Sequence, residues 1–284
     1  MNKRILILGS DGMFGHTCSD YLKSLNRYDI YTVSRTWNWS TNHTALDIRD
    51  EEDLRNLEDN IKYAIEPNII INAIGILVKT SENDPENAIW INSYFPHWLE
   101  KITKNTQTKI IHLSTDCVFS GKKGNYLNTD EPDGIGIYAR SKALGEVINK
   151  KDLTIRTSFI GSPIKQPSND LLSWFLRQDG TVLGYTGALW SGITTLELAK
   201  AIDKLINSNI VGLYHLAPEY NISKYDLLEL IQYIWNKQDI TLIPDETLKQ
   251  DKTLINSEPP IPNYLMPIAY FSMIREYKDY LDGK

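Results

Sequence analysis

Tyr138 and Lys142 stand four residues apart in a Y-x-x-x-K stretch. On a helix, positions i and i+4 share a face, so the ammonium lies beside the phenol. A tyrosine ordinarily titrates near about 10, and a neighbouring cation lowers that value by favouring the phenolate. Such a tyrosine serves as general acid toward a carbonyl oxygen that receives hydride, and the lysine can bind a ribose as well. The spacing alone does not choose this pair, because Tyr220/Lys224, Tyr233/Lys237 and Tyr280/Lys284 share it. Position chooses it. Tyr138 follows the apolar run 109–114 and opens a helical stretch that leads to another apolar run, 153–158. The other three pairs read as solvated faces or packing.

A hydroxyl partner lies in Leu113-Ser114-Thr115-Asp116-Cys117-Val118-Phe119-Ser120-Gly121. At the end of a strand it points into a cleft and donates to a substrate carbonyl, and Thr115 is preferred to Ser114 for this role. Tyr185 and Trp190 offer ring faces that could stack on a base or a sugar, with packing as the alternative.

An anion site precedes all of these. Gly9, Gly12 and Gly15 enclose Asp11, Met13 and Phe14 directly after the apolar run Ile5–Leu8. A tight glycine turn between strand and helix lets backbone N–H groups approach a pyrophosphate, with the helix N-terminus facing its charge. The next strand ends Val33-Ser34-Arg35, where an acidic residue would hold a ribose diol. Arg35 instead suits a 2′-phosphate, so NADP(H) is the preferred cofactor and NAD(H) stays open. Asp47 and Ile48 are placed near the adenine, and Asn72, Ala73 and Gly75 near the cofactor backbone.

The elements that must position these groups alternate. Strands are expected at 5–8, 30–34, 68–74, 109–114, 153–158 and 212–217. Helices are expected at 13–25, from Glu51 behind the cap Asp50, from the Asp84-Pro85 cap to about Lys104, at 138–149, at 195–207, and from the cap Ser223 to about Trp235. This pattern predicts an α/β fold, a doubly wound parallel sheet with ligands at the carboxyl ends of its strands, and a smaller C-terminal substrate lobe. The expected division is 1–160 for the cofactor domain with a returning segment at about 193–218, and 161–192 with 219–284 for the lobe. The tail 247–267 reads as loop.

The 284 residues carry a formal charge of −6 without a basic block, which argues against nucleic acid polymers and anionic membranes as partners. No apolar run reaches transmembrane length, and the two cysteines, Cys18 and Cys117, offer no disulfide framework and no metal-ligand spacing. The cytoplasm is the expected compartment, and no metal is expected.

The glycine turn, the S-T-D-x-V-F-x-G segment and the Y-x-x-x-K-x-x-x-E stretch from Tyr138 to Glu146 together resemble the dTDP-4-dehydrorhamnose reductase family of extended short-chain dehydrogenases. The likeness covers about the first 160 residues, including Arg156-Thr157-Ser158. It implies a Rossmann-type sheet and a catalytic triad of Thr115, Tyr138 and Lys142, with Asp116 and Phe159 at the substrate. It also implies NADPH-dependent reduction of a 4-keto-6-deoxy sugar carried on a nucleotide, for surface polysaccharide. A homodimer is left open.

Departures from the family's pattern fall in the presumed sugar lobe. Phe159 stands where a Trp is usual, Gly184–Gly192 replaces the usual Q-x-G-x-P-T segment, and the proline-rich tail differs. A 4,6-dehydratase would carry Glu where this chain has Cys117. An epimerase with retained NAD and a non-catalytic NADP-binding regulatory subunit are the alternatives.

Overall fold

The structure, a computed structural model, describes residues 2–36, 41–162, 170–255 and 268–283. The chain begins with β1 (Lys3–Leu8), α1 (Met13–Ser24), β2 (Tyr28–Ser34), β3 (His43–Ala45), α2 (Glu51–Asp59) and β4 (Ile69–Asn72). Next come α3 (Val78–Asn83), α4 (Pro85–Ile89), α5 (Phe95–Thr103), β5 (Lys109–Thr115), α6 (Ile137–Leu144) and β6 (Leu153–Thr157). Two short segments, β7 (Phe159–Ile160) and α7 (Leu171–Leu176), lead to β8 (Gly180–Tyr185), β9 (Ala188–Trp190) and β10 (Ile193–Thr194). Then α8 (Thr195–Ile206) delivers β11 (Gly212–His215).

Seven of these strands form one sheet in the order β11-β6-β5-β4-β1-β2-β3. Every pairing in it is parallel. The chain order reverses between β1 and β4, which creates a crevice at the carboxyl ends of those strands. This is the doubly wound, Rossmann-like architecture that the strand–helix alternation predicts.

The sheet is apolar on both faces because helices cover both. Ile5, Ile7, Ile69, Ile71, Ile111 and Leu113 meet Phe14, Cys18 and Leu22 of α1 and Leu198 and Ile202 of α8. The alternate residues Leu6, Leu8, Ile70 and Ile110 meet Leu54 and Leu57 of α2 and Phe95 and Leu99 of α5. Near-continuous apolar runs in the sequence are the consequence of this two-sided burial.

A second core joins α7 and Trp190 to α9 (Lys224–Ile234) and α10 (Tyr270–Asp282). Here β9 lies between β12 (Ile222–Ser223), antiparallel to it, and β14 (Gln250–Asp251), parallel to it. β13 (Ile240–Asp245) pairs in parallel with β8. That pair, β3, α7 and α10 carry no signal singled out in the sequence. β14 interrupts the segment expected to be loop, and 256–267 lies outside the described residues.

The caps act as their residue types suggest. Asp50 accepts from the Glu52 and Asp53 N–H groups, Asp84 from Asn87, and Ser223 from Asp226. The helix expected from Asp84 to Lys104 is present but contains a π-helical turn, Trp90–Tyr94. The helix expected at 138–149 stops at Leu144. Gly145 packs so closely on the Asn92 carbonyl that a Cβ there would collide with it, and Glu146 turns inward to Arg156.

Candidate active site

The turn after β1 is held open by its own backbone. Gly9 has φ +84° and Gly12 N–H donates to its carbonyl at 2.9 Å. A Cβ on Gly15 would collide with that same carbonyl, so only glycine lets α1 start this close to the strand. Gly12, the N-cap of α1, supplies no side-chain cap, which leaves the first N–H groups of the helix for an anion.

Two cavities meet at this turn. One, of about 230 Å³, is lined by Gly9, Asp11, Gly12, Ser34, Arg35, Asp47, Ile48, Ala73 and Gly75. Asp47 is tied to Arg49, whose Nε donates to its Oδ1 at 2.9 Å. The Arg49 guanidinium holds the Asp47 carboxyl below the usual carboxylate range, and Arg35 acts in the same direction. The other, of about 410 Å³, is lined by Met13, Phe14, Thr115, Asp116, Tyr138, Lys142 and Phe159. Both share Gly12, Ala73, Ile74, Gly75 and Ile76, so they form one continuous groove. A groove with a small-residue, N–H-rich midpoint fits a dinucleotide.

Asn72 lines neither cavity. Its side chain is fully buried, accepts from Ile74 N–H at 3.2 Å and meets His112 Nδ1 at 3.1 Å, so it shapes the turn after β4. Phe14 and Phe159 face each other with ring centroids 6.0 Å apart. The structure does not bring Tyr185 to the groove; it is 40% exposed on β8. Trp190 is buried and lines neither cavity, but its indole N–H donates to Ser158 Oγ at 2.8 Å, and Ser158 lines the larger one.

At the end of β5 the two hydroxyls have different employments. Ser114 donates to Glu146 Oε1 at 2.7 Å, inside the fold. Thr115 donates to Asp116 Oδ1 at 3.0 Å and accepts from the Cys117 N–H, at the cavity wall. Lys142 donates to the Leu113 carbonyl at 2.7 Å, which anchors α6 to β5.

The electrostatics differ from the expectation that Lys142 depresses the tyrosine. Burial holds the Tyr138 phenol above its ordinary range; Cys117 and Asp116 push the same way, and the Thr115 side chain opposes them. Lys142 is itself pulled down to about 8 by burial, with Glu146 opposing. Desolvation is the leading cause of both shifts, and the ammonium gives its hydrogen bond to a backbone carbonyl.

Sequence reasoning missed several residues around the groove. Glu82 of α3 accepts from the Ile137 N–H at 2.7 Å and so caps α6. Asn92, in the π-helical turn, accepts from the Ile76 N–H at 3.0 Å and donates to Ser141 at 3.2 Å. Arg49 sits next to a residue that was singled out, and Lys224 belongs to one of the tyrosine–lysine pairs set aside as surface or packing.

The model of a protein family described as RmlD substrate binding domain matches residues 3–253. The chain belongs to this family. A relative with the name dTDP-4-dehydrorhamnose reductase, from Aggregatibacter actinomycetemcomitans, is 28% identical over 238 residues, covering 78% of this chain and 76% of its own. The fold is shared with a dTDP-4-dehydrorhamnose reductase from Bacillus anthracis str. Ames solved in complex with NADP, at TM-score 0.83, 21% identity and coverage of 99% and 100%. It is shared also with ADP-L-glycero-D-manno-heptose-6-epimerase from Helicobacter pylori, at TM-score 0.81, 15% identity and coverage of 100% and 97%. Within the RmlD family, then, the reaction has to be argued from the site, since the same sheet also serves an epimerase. Among the described residues, no helix is long and apolar enough to cross a membrane.

Proposed function

We propose that this protein is an NADPH-dependent reductase of a 4-keto-6-deoxy sugar carried on a nucleotide. One observation carries the proposal: Thr115, Tyr138 and Lys142 line a single cavity that is continuous with the glycine turn and Arg35. Membership of the RmlD family and the relative named dTDP-4-dehydrorhamnose reductase support it. The division of labour we propose gives the cofactor to 1–160 with the return at about 193–218, and the sugar to 161–192 and 219–284.

When bound, NADPH supplies hydride to the sugar carbon. The protein's part is to hold the carbonyl oxygen and give it a proton. Tyr138 carries its proton at neutral pH and acts as the acid; burial raises its value, so the transfer requires that the phenolate be stabilised as it forms. Lys142, fixed on the Leu113 carbonyl and lining the same cavity as Tyr138, supplies the positive charge that stabilises the phenolate as it forms. Thr115 polarises the carbonyl by redirecting the hydrogen bond it now gives to Asp116. Arg35, with no acid at the end of β2, favours the 2′-phosphate of NADPH.

The test follows NADPH absorbance on addition of a dTDP-4-keto-6-deoxyhexose beside its UDP-, GDP- and CDP-linked counterparts. Consumption with one of them, lost in Tyr138→Phe, is expected. No consumption across the panel would overturn the reductase proposal and favour an epimerase.

A further inference from the structure

Two carboxylates border the smaller cavity, and the fold treats them differently. Asp47 is neutralised where it stands, because Arg49 Nε donates to its Oδ1 at 2.9 Å. Asp11, in the glycine turn, is half-buried and forms no ion pair among the described residues. Its Oδ2 accepts a hydrogen bond from the neutral Thr36 hydroxyl. Thr36 follows Arg35, and all three residues line the cavity. Thr36 is itself held in place: its carbonyl accepts from Ser34 Oγ at 2.9 Å and from His43 Nε2 at 2.9 Å. His43, buried on β3, meets Thr32 through Nδ1 at 2.9 Å. An anchored Thr36 thus fixes the Asp11 carboxylate beside the stretch that carries Arg35, and opposite charges border one cavity.

These two charges favour different cofactors. A guanidinium attracts a 2′-phosphate, whereas a carboxylate repels it and accepts from a free ribose diol. The Thr36 hydrogen bond occupies one carboxylate oxygen of Asp11 and leaves lone pairs for a diol. Arg35 alone therefore accounts for only half of the choice.

We propose that Asp11 is a specificity-determining residue of the cofactor site: it opposes Arg35 and keeps NAD(H) acceptable beside NADP(H), with Thr36 restraining its charge. This rests on the reading of the Arg35 cavity as the pocket for the 2′-phosphate. Specificity is a difference of affinities, so a repulsive element counts as much as an attractive one.

Fluorescence titration of the full chain with NADPH and with NADH, without sugar, tests this in wild type, Asp11→Asn, Thr36→Val and Arg35→Ala. Asp11→Asn keeps an acceptor for Thr36 and removes the charge. It is expected to raise the ratio of NADPH to NADH affinity by about tenfold, the effect of one charge–charge contact in a partly exposed site. NADPH should bind more tightly and NADH more weakly, and the gain should shrink at high salt. Thr36→Val frees the carboxylate and should lower the same ratio. Opposite signs separate this role from a structural latch, whose loss would weaken both cofactors alike in either variant. An unchanged ratio in Asp11→Asn, or a common loss of both cofactors in Asp11→Asn and Thr36→Val, would overturn the role of Asp11. An unmoved ratio in Thr36→Val would overturn the restraint by Thr36. An unchanged ratio in Arg35→Ala would sink the reading of the pocket on which the proposal rests. A ratio that falls in Arg35→Ala and stays put in Asp11→Asn would sink the Asp11 role alone.

Discussion

The Glu82 carboxylate accepts a 2.7 Å hydrogen bond from the Ile137 N–H, so a side chain of α3 caps the helix that presents Tyr138 and Lys142. Gly136, the residue before that helix, has no side chain to do this itself. The negative charge also complements the positive end of α6. Glu82→Ala is expected to cost about 1 kcal/mol of stability and to lower kcat more than it raises KM. Glu82→Gln keeps an acceptor and should recover most of both. Thermal unfolding with steady-state kinetics decides it; an alanine variant with wild-type values would refute the capping role.

Arg156 and Glu146 form a pair sealed inside the fold. The Arg156 guanidinium reaches both carboxylate oxygens at 2.7 Å and lies 4.9 Å from the centre of the Phe119 ring. Glu146 also holds Ser114, and through it the end of β5. Arg156→Met should destabilise the protein by about 3–5 kcal/mol, because a buried carboxylate loses its partner. Urea unfolding measures this, and a loss under 1 kcal/mol, on the order of an exposed ion pair, would contradict it.

The alkaline limb of activity should come from Lys142. Its value of about 8 lies below the ordinary lysine range, so the ammonium is charged below that pH and neutral above it. Tyr138 lies above its ordinary range and stays protonated in the same interval. Rate in the reductive direction should therefore fall as pH rises through about 8. Lys142→Arg, which keeps its charge, should move that limb upward in whatever activity it retains. A flat profile from pH 7 to 9.5 in wild type would count against the assignment.

Cofactor choice should turn on Arg35. It lines the smaller cavity beside Ser34 and Asp47. Arg35→Ala is expected to raise the KM for NADPH by roughly tenfold to a hundredfold, the range of a hydrogen bond to a charged group, and to leave NADH nearly untouched. Parallel measurements with both cofactors check it. An equal loss with both would place Arg35 at a shared part of the dinucleotide.

What could be read from the sequence is local. Apolar runs of four to seven residues, acidic and hydroxyl caps, and glycine where a strand meets a helix are each written within one element. Their alternation then leaves few topologies, since parallel strands joined by helices cross over with one hand. That is why the strand ends bearing Thr115 and Ala73, the turn at Gly9 and the helix of Tyr138 could all be placed near one crevice from their order alone.

The tertiary structure decided whatever depends on segments distant in the chain. β8 pairs with β13 some sixty residues on, and partly exposed strands of that kind carry weak periodicity. The α6 helix ends early because Gly145 meets Asn92 and Glu146 meets Arg156. The spacing of Tyr138 and Lys142 announced a pair, yet the sign of the tyrosine's shift came from desolvation of its own phenol, with Cys117 and Asp116 acting the same way. Lys224 belonged to a pair read as a solvated face or packing, and only the fold sets it 4.5 Å from the Trp190 ring, where burial lowers its ammonium against Asp116 and Cys117. Periodicity and capping are properties of neighbouring residues; desolvation belongs to the whole packed molecule, and it sets the charges in this site.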